Sequence, residues 1–197
     1  TNAANSINIY VSSGSVTLSG SADNGHANGI VNSGATLILG KTSSSSVHSI
    51  GATNGLVINA GGTARLAGSG GDQIQNLRPL GLAGGTFASD GFSETVGKLA
   101  LTADSTIDLG SGASVLNFSN SSAIAWTVGQ TLLVTNWSGS SSGGGTDQLY
   151  FGTGTTGLTT GQLAQISFVD ASGTRPAQIL SSGEVVPVTS ADVKTTQ

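Results

Sequence analysis

Cysteine and methionine are both missing from the 197 residues. Zero cysteine excludes disulfides, thiolate metal sites and thiol catalysis together. It is compatible with an oxidising exterior. Charge is scarce too: charged residues make up 8% of the chain, ten acids against six bases, for a net charge of −4. The bases, Lys41, Arg65, Arg78, Lys98, Arg175 and Lys194, are scattered, so no basic cluster exists to hold nucleic acid or anionic lipid. No apolar run approaches the roughly 20 residues of a membrane-spanning helix. The initiator methionine is also absent, and the polar start Thr1-Asn2-Ala3-Ala4-Asn5 points to a processed or excised chain.

What is present is short and periodic. Disordered chains combine low hydrophobicity with high net charge. Here 37% hydrophobic residues and 31 glycines predict a narrow core with many turns, in one large all-β domain. The stretch from Leu80 to Phe118 sets the pattern: pieces of three to five residues with apolar/polar alternation, each cut off by Gly, Ser, Asn or Asp. Alternation of period two marks a strand with one buried face. Upstream, Ile7, Ile9 and Val11 alternate with Asn8 and Tyr10. One helical turn is expected near 158–166, with Thr159 or Thr160 as cap and Leu163 and Ile166 on one face.

The pieces also repeat. Thr36, Thr63, Thr86 and Thr106 each open a similar strand, at intervals of 27, 23 and 20 residues. A period of roughly 20–30 residues is the size of one solenoid coil. A single coil cannot bury its apolar face, whereas coils stacked about 4.8 Å apart bury Leu, Ile and Val above and below. The expected organisation is one β-solenoid: N-terminal strands over 1–28, repeat coils over 29–118, C-terminal coils and cap over 119–187, and a tail over 188–197. The C-terminal section is bulkier and holds both tryptophans, in the expected strands Ala125-Trp126-Thr127-Val128 and 131–137. Such a section closes an end that would otherwise expose core and strand edges.

Gly84-Gly85-Thr86-Phe87, Gly91-Phe92-Ser93-Glu94-Thr95-Val96-Gly97-Lys98-Leu99 and Asp104-Ser105-Thr106-Ile107-Asp108-Leu109-Gly110 resemble the autotransporter-associated β-strand repeat of bacterial surface proteins. Asn136-Trp137-Ser138-Gly139, 144–152, 162–168 and 178–187 resemble the C-terminal ends of those proteins. The resemblance covers roughly residues 80–187 and implies a secreted or surface-exposed, right-handed parallel β-helix of bacterial origin. It brings no catalytic residues. The chain ends without the barrel strands or apolar anchor found in some of those proteins, so self-anchoring in an outer membrane is not expected.

Parallel β-helices include polysaccharide lyases and hydrolases that group carboxylates on one face. Asp90, Asp104 and Asp108 are the candidates, with turn formation as the preferred reading of Asp90 and Asp104. His26 and His48 read as exposed loop residues. Gly68-Ser69-Gly70-Gly71-Asp72-Gln73-Ile74 echoes the calcium-binding glycine-aspartate nonapeptides, but occurs once where those sites need consecutive copies. Asn117, Asn120 and Asn136 open N-glycosylation triplets, which chance supplies in so Asn/Ser-rich a chain. Trp126 and Trp137 could stack on a sugar, although core packing is the commoner use of tryptophan. No cofactor or metal is expected.

The favoured function is an extracellular structural protein that self-associates into a fibre or surface matrix by β-strand pairing. The alternatives are a monomeric adhesin binding glycan or a host surface, and a polysaccharide-active enzyme. The candidate interface residues are Ile7, Ile9 and Val11 in a donated N-terminal strand, and Val186 and Val188 near the other end. The polar tails Thr1–Ser6 and Ala191–Gln197 would fray unless something ties them down.

Overall fold

The computed structural model describes residues 6–170 and 173–189, so residues 1–5 and 190–197 of the two tails lie outside the described residues. The chain winds into an all-β solenoid of about six turns. The first coil carries β1 (Ile7–Val11) and β2 (Gly14–Gly20), and the second β3 (Ala27–Val31) and β4 (Ala35–Lys41). The third carries β5 (Leu56–Asn59) and β6 (Thr63–Leu66). The fourth has β7 (Leu80–Ala83), β8 (Thr86–Ala88) and β9 (Glu94–Val96). The fifth has β10 (Leu99–Ala103), β11 (Ser105–Asp108) and β12 (Val115–Phe118). The sixth contributes β13 (Leu132–Thr135), β14 (Gln148–Phe151) and the single-turn helix α1 (Thr160–Leu163). The chain then forms β15 (Ile166–Asp170), β16 (Gly173–Ile179) and β17 (Val185–Pro187).

Three sheets run along the axis: β1-β3-β5-β7-β10, then β2-β4-β6-β8-β11-β13-β15-β16-β17, then β9-β12-β14. Every pairing is parallel until β15–β16 and β16–β17, which are antiparallel. In the second and third coils the third side is a corner segment, joined by the bridges Thr42–Ser69 and Ile50–Ile74.

Register follows from which face is buried, because a slip of one residue would turn every core side chain outward. Thr36 pairs with Thr63, Thr63 with Thr86 and Thr86 with Thr106, so the repeat visible in the sequence is a physical column on the outer face. Beside it, pointing inward, runs Leu37–Ala64–Phe87–Ile107–Val134–Phe168. The small Ala64 and the large Phe87 are neighbours in this column, and both are fully buried. Each of these large side chains contributes about 1.5–3 kcal/mol by leaving water. Gly29 faces the same core, where an added Cβ would lie 2.7 Å from Leu56 Cδ1. Gly55 has φ +66, and a Cβ there would sit 2.0 Å from Pro79 O, so the close approach of two coils requires a glycine.

The bulkier C-terminal section is an aromatic cap. Phe118 stacks on Phe151 at 5.0 Å, Trp126 meets Phe151 edge-on at 6.4 Å, and Trp137 meets Phe168 edge-on at 5.4 Å. Residues 125–128 are not a strand. Trp126 Nε1 donates to Leu99 O (2.9 Å) and Thr127 N to Leu101 O (2.9 Å), so the segment covers the edge of β10 without continuing its ladder. Helix α1 is one turn, capped by Thr159 in a reciprocal box with Gln162. Ile166, expected on that helix, instead opens β15.

Candidate functional site

The two ends of the solenoid are unequal. At the N-terminal end, Ile7 N donates to His26 O and Val11 O accepts from Asn32 N, both at 2.9 Å. The odd-numbered backbone of β1 therefore faces β3, and the N–H and C=O groups of Asn8 and Tyr10 point away from it. In β2, Gly20 O accepts from Thr42 N (3.1 Å), which turns Ser15, Thr17 and Ser19 outward. Among the described residues no strand pairs with the outer edge of β1 or β2. Ser19 O is engaged by the Lys41 ammonium at 3.2 Å. Ile7 is 59% exposed and lines a cavity of about 280 Å³ with Ile9, Asp23 and His26.

At the other end the last parallel strand, β15, is covered, and the short β17 ends the sheet. β16 and β17 fold back on β15, Phe151 N donates to Gly183 O (2.9 Å), and Val185 joins the core. Of the five interface candidates, Val11 is buried in the chain's own core. Val186 is buried in β17, and Val188 is half-buried with its N–H donating to Pro176 O (2.9 Å). Ile7 and Ile9 remain at the free edge, on a strand that is already the first rung of its own solenoid.

The corner between the second and third sides holds a polar cluster to which Asp23, His48, Asp72 and Glu94 contribute from four successive coils. His48, read from the sequence as an exposed loop residue, is 2% exposed. Its Nδ1 lies 3.0 Å from Asp23 Oδ1, which also accepts the His48 backbone N–H at 2.8 Å. Its Nε2 faces Asp72 Oδ1 at 3.7 Å. Burial raises the Asp23 carboxyl, but the bonds from the His48 backbone and ring outweigh it and leave the group below its usual range. Burial pushes Asp72 up, opposed by the His48 charge.

Glu94, one coil further, is 1% exposed. Its Oε2 accepts from Gln73 N (2.7 Å) and Ile74 N (3.4 Å), and its Oε1 from Thr95 N (3.2 Å). Burial dominates those bonds, and with Asp72 nearby the carboxyl is raised to about 8. Gln73 completes the corner, accepting from Lys41 N (3.0 Å) and Ser49 Oγ (2.7 Å). The same device recurs downstream, where Asp147 Oδ1 accepts Ser114 N (2.9 Å) and Glu184 Oε2 accepts Gly144 N (2.8 Å). In each case a buried carboxyl oxygen accepts a backbone N–H of an adjoining coil, where an orphaned donor would cost about 1–3 kcal/mol.

Of the three carboxylates singled out from the sequence, two accept backbone N–H groups and the third forms an ion pair. Asp104 Oδ1 accepts Thr131 N (2.7 Å), and Asp108 Oδ1 accepts Gly110 N (3.0 Å) and Asn136 Nδ2 (2.6 Å). Asp90, at φ 50, pairs with Arg65 Nε at 2.8 Å. His26 is exposed as expected. The 68–74 stretch is a corner that feeds Gln73 and Ile74 into the interior. Among the described residues no three His, Asp or Glu side chains are grouped to hold a metal ion. Trp126 is buried, and Trp137 lies under Arg175 at 5.8 Å, so the two rings pack into the cap rather than forming one platform. Asn120 bonds Thr156 O through its own amide. Among the described residues no helix is long and apolar enough to cross a membrane.

The corner cluster escaped the sequence because its members stand 22–25 residues apart and meet only when the coils stack. The one visible signal was a carboxylate, Glu94 or Asp147, placed at or just before a strand of the third sheet. Comparison with family models, with curated proteins and with solved structures returns no match to this chain.

Proposed function

We propose that the protein is an extracellular structural solenoid of a bacterial surface, which associates with further copies of itself by β-strand pairing at its N-terminal end. The observation that carries this reading is the inequality of the ends. Among the described residues two parallel strands, β1 and β2, have no strand on their outer edges, while at the other end the antiparallel β16 and the short β17 follow the last parallel strand. An open edge is a template for another chain, and natural proteins usually blunt it. Extension into a fibre or matrix then needs lateral contact. The outer face of the first sheet offers a column for it, Tyr10–Ile30–Val57–Gly81–Ala100.

The test keeps β1 in place, because deleting residues 1–11 would also remove the core residue Val11. Thr17→Pro removes an outward N–H, and Tyr10→Lys adds an edge charge. Sedimentation should show concentration-dependent assembly of the parent chain. The doubly substituted protein should remain monomeric with an unchanged β circular-dichroism spectrum. A parent chain that stays monomeric up to millimolar concentration, or a double variant that assembles equally, overturns the proposal.

A further inference from the structure

The environment of His48 sets two acceptors face to face, a conflict that one proton resolves. Its Nδ1 lies 3.0 Å from Asp23, whose ionised carboxylate can only accept, so the hydrogen belongs on Nδ1. A neutral ring then turns a lone pair at Nε2 toward Asp72 Oδ1, 3.7 Å away. That oxygen is buried and has no hydrogen-bond partner among the described residues. Two facing acceptors shielded from water repel each other.

We propose that a proton on the Asp72–His48 pair turns the 3.7 Å approach of Oδ1 and Nε2 from repulsive to attractive and draws the two groups together, closing a clamp, Asp23–His48–Asp72, across the first three coils. The imidazole then donates to the first coil and is tied to the third, so a single buried ring fastens the open end of the solenoid. The surroundings agree. Asp23 is held below its usual range and stays ionised, while burial raises Asp72 and favours its protonated form. Asp23 and Asp72 face His48, Glu94 lies beyond Asp72, and the Lys41 ammonium in the same corner bonds Ser19 O and Ala22 O.

The sign follows from Asp72. An acid raised on folding binds its proton more tightly in the native chain, so the clamp is closed at lower pH and is lost as pH rises through the folded value. Opening should loosen the first corner, where Asn24 N donates to His48 O (3.0 Å) and His48 N to Asp23. Asp72 has a way out, since its side chain is partly exposed.

Amide hydrogen exchange of Asn24 and His48 tests this, carried out with Glu94→Gln in every protein so that the neighbouring acid cannot titrate. After correction for intrinsic exchange, protection in the Asp72-containing chain should fall about tenfold as the proton leaves. Asp72→Asn replaces the proton with a permanent amide N–H donor and should keep protection level across the same range. His48→Ala should lower protection at every pH. A level profile with Asp72 present, or the same fall with Asp72→Asn, overturns the proposal. The readout is local to the first corner and does not depend on whether copies associate.

Discussion

Replacing Phe151 by alanine is expected to cost about 3–5 kcal/mol of stability, the largest effect of any single truncation in the cap. The ring is fully buried, stacks on Phe118 at 5.0 Å and receives the edge of Trp126. Such aromatic pairs add about 0.5–1.5 kcal/mol each beyond the area they bury. The backbone of Phe151 also holds Gly183, which leads the chain into β17. Loss of the ring therefore leaves a cavity beneath the antiparallel closure and removes a wall of the Trp126 site. Urea unfolding should show a lower midpoint, and Trp126 emission should shift to the red before the main transition. A stability within about 1 kcal/mol of the parent would mean that the cap collapses around the gap and contributes little to the fold.

Raising the pH from about 5 to 8 is expected to destabilise the protein, and Glu94→Gln is expected to abolish most of that slope. Glu94 has a folded value of about 8 against an unfolded value of 4.5. Between those limits the native state binds a proton that the unfolded state has released, so stability falls as pH rises. A tenfold change in proton affinity is worth about 1.4 kcal/mol, so this group alone accounts for roughly 4–5 kcal/mol. The amide that Glu94→Gln introduces can still accept from the backbone of Gln73 but cannot ionise. The variant should match the parent near pH 5 and exceed it near pH 9, in urea midpoints taken across the range. Parallel slopes for the two proteins would show that the three N–H donors outweigh burial and keep Glu94 ionised throughout.

The coil was legible because its signal is local and repeated. Thr36, Thr63, Thr86 and Thr106 each precede an inward apolar residue, and strand pairing preserves that position from coil to coil. The Thr159 cap was legible for the same reason, since its partner Gln162 is three residues away. Residues 125–128 misled because their bulky, alternating character matches a strand, yet Val128 is 92% exposed and only Thr127 joins β10 through its backbone. His48 misled in the other direction. A serine run precedes it, as in a solvated loop, and its burial depends on Asp23 and Asp72, which only the stacking of three coils brings to it. The alternation of β1 was legible, and its use in the structure is to begin the chain's own sheet.

The spacing between the aligned threonines shrinks from 27 to 23 to 20 residues while their register never slips. The first two sides of these coils keep nearly the same length, with one shift of register in β10 between Leu101 and Ala103, and the third side absorbs most of the difference. The surplus lies between Lys41 and Leu56 in one coil and between Leu66 and Leu80 in the next, then shortens to a corner with β9. In evolutionary terms the molecule separates what must be kept from what can be lengthened. A foreign peptide grafted at residues 44–47, where Ser44 and Val47 already close a small turn, would be displayed from the flank without disturbing either ladder.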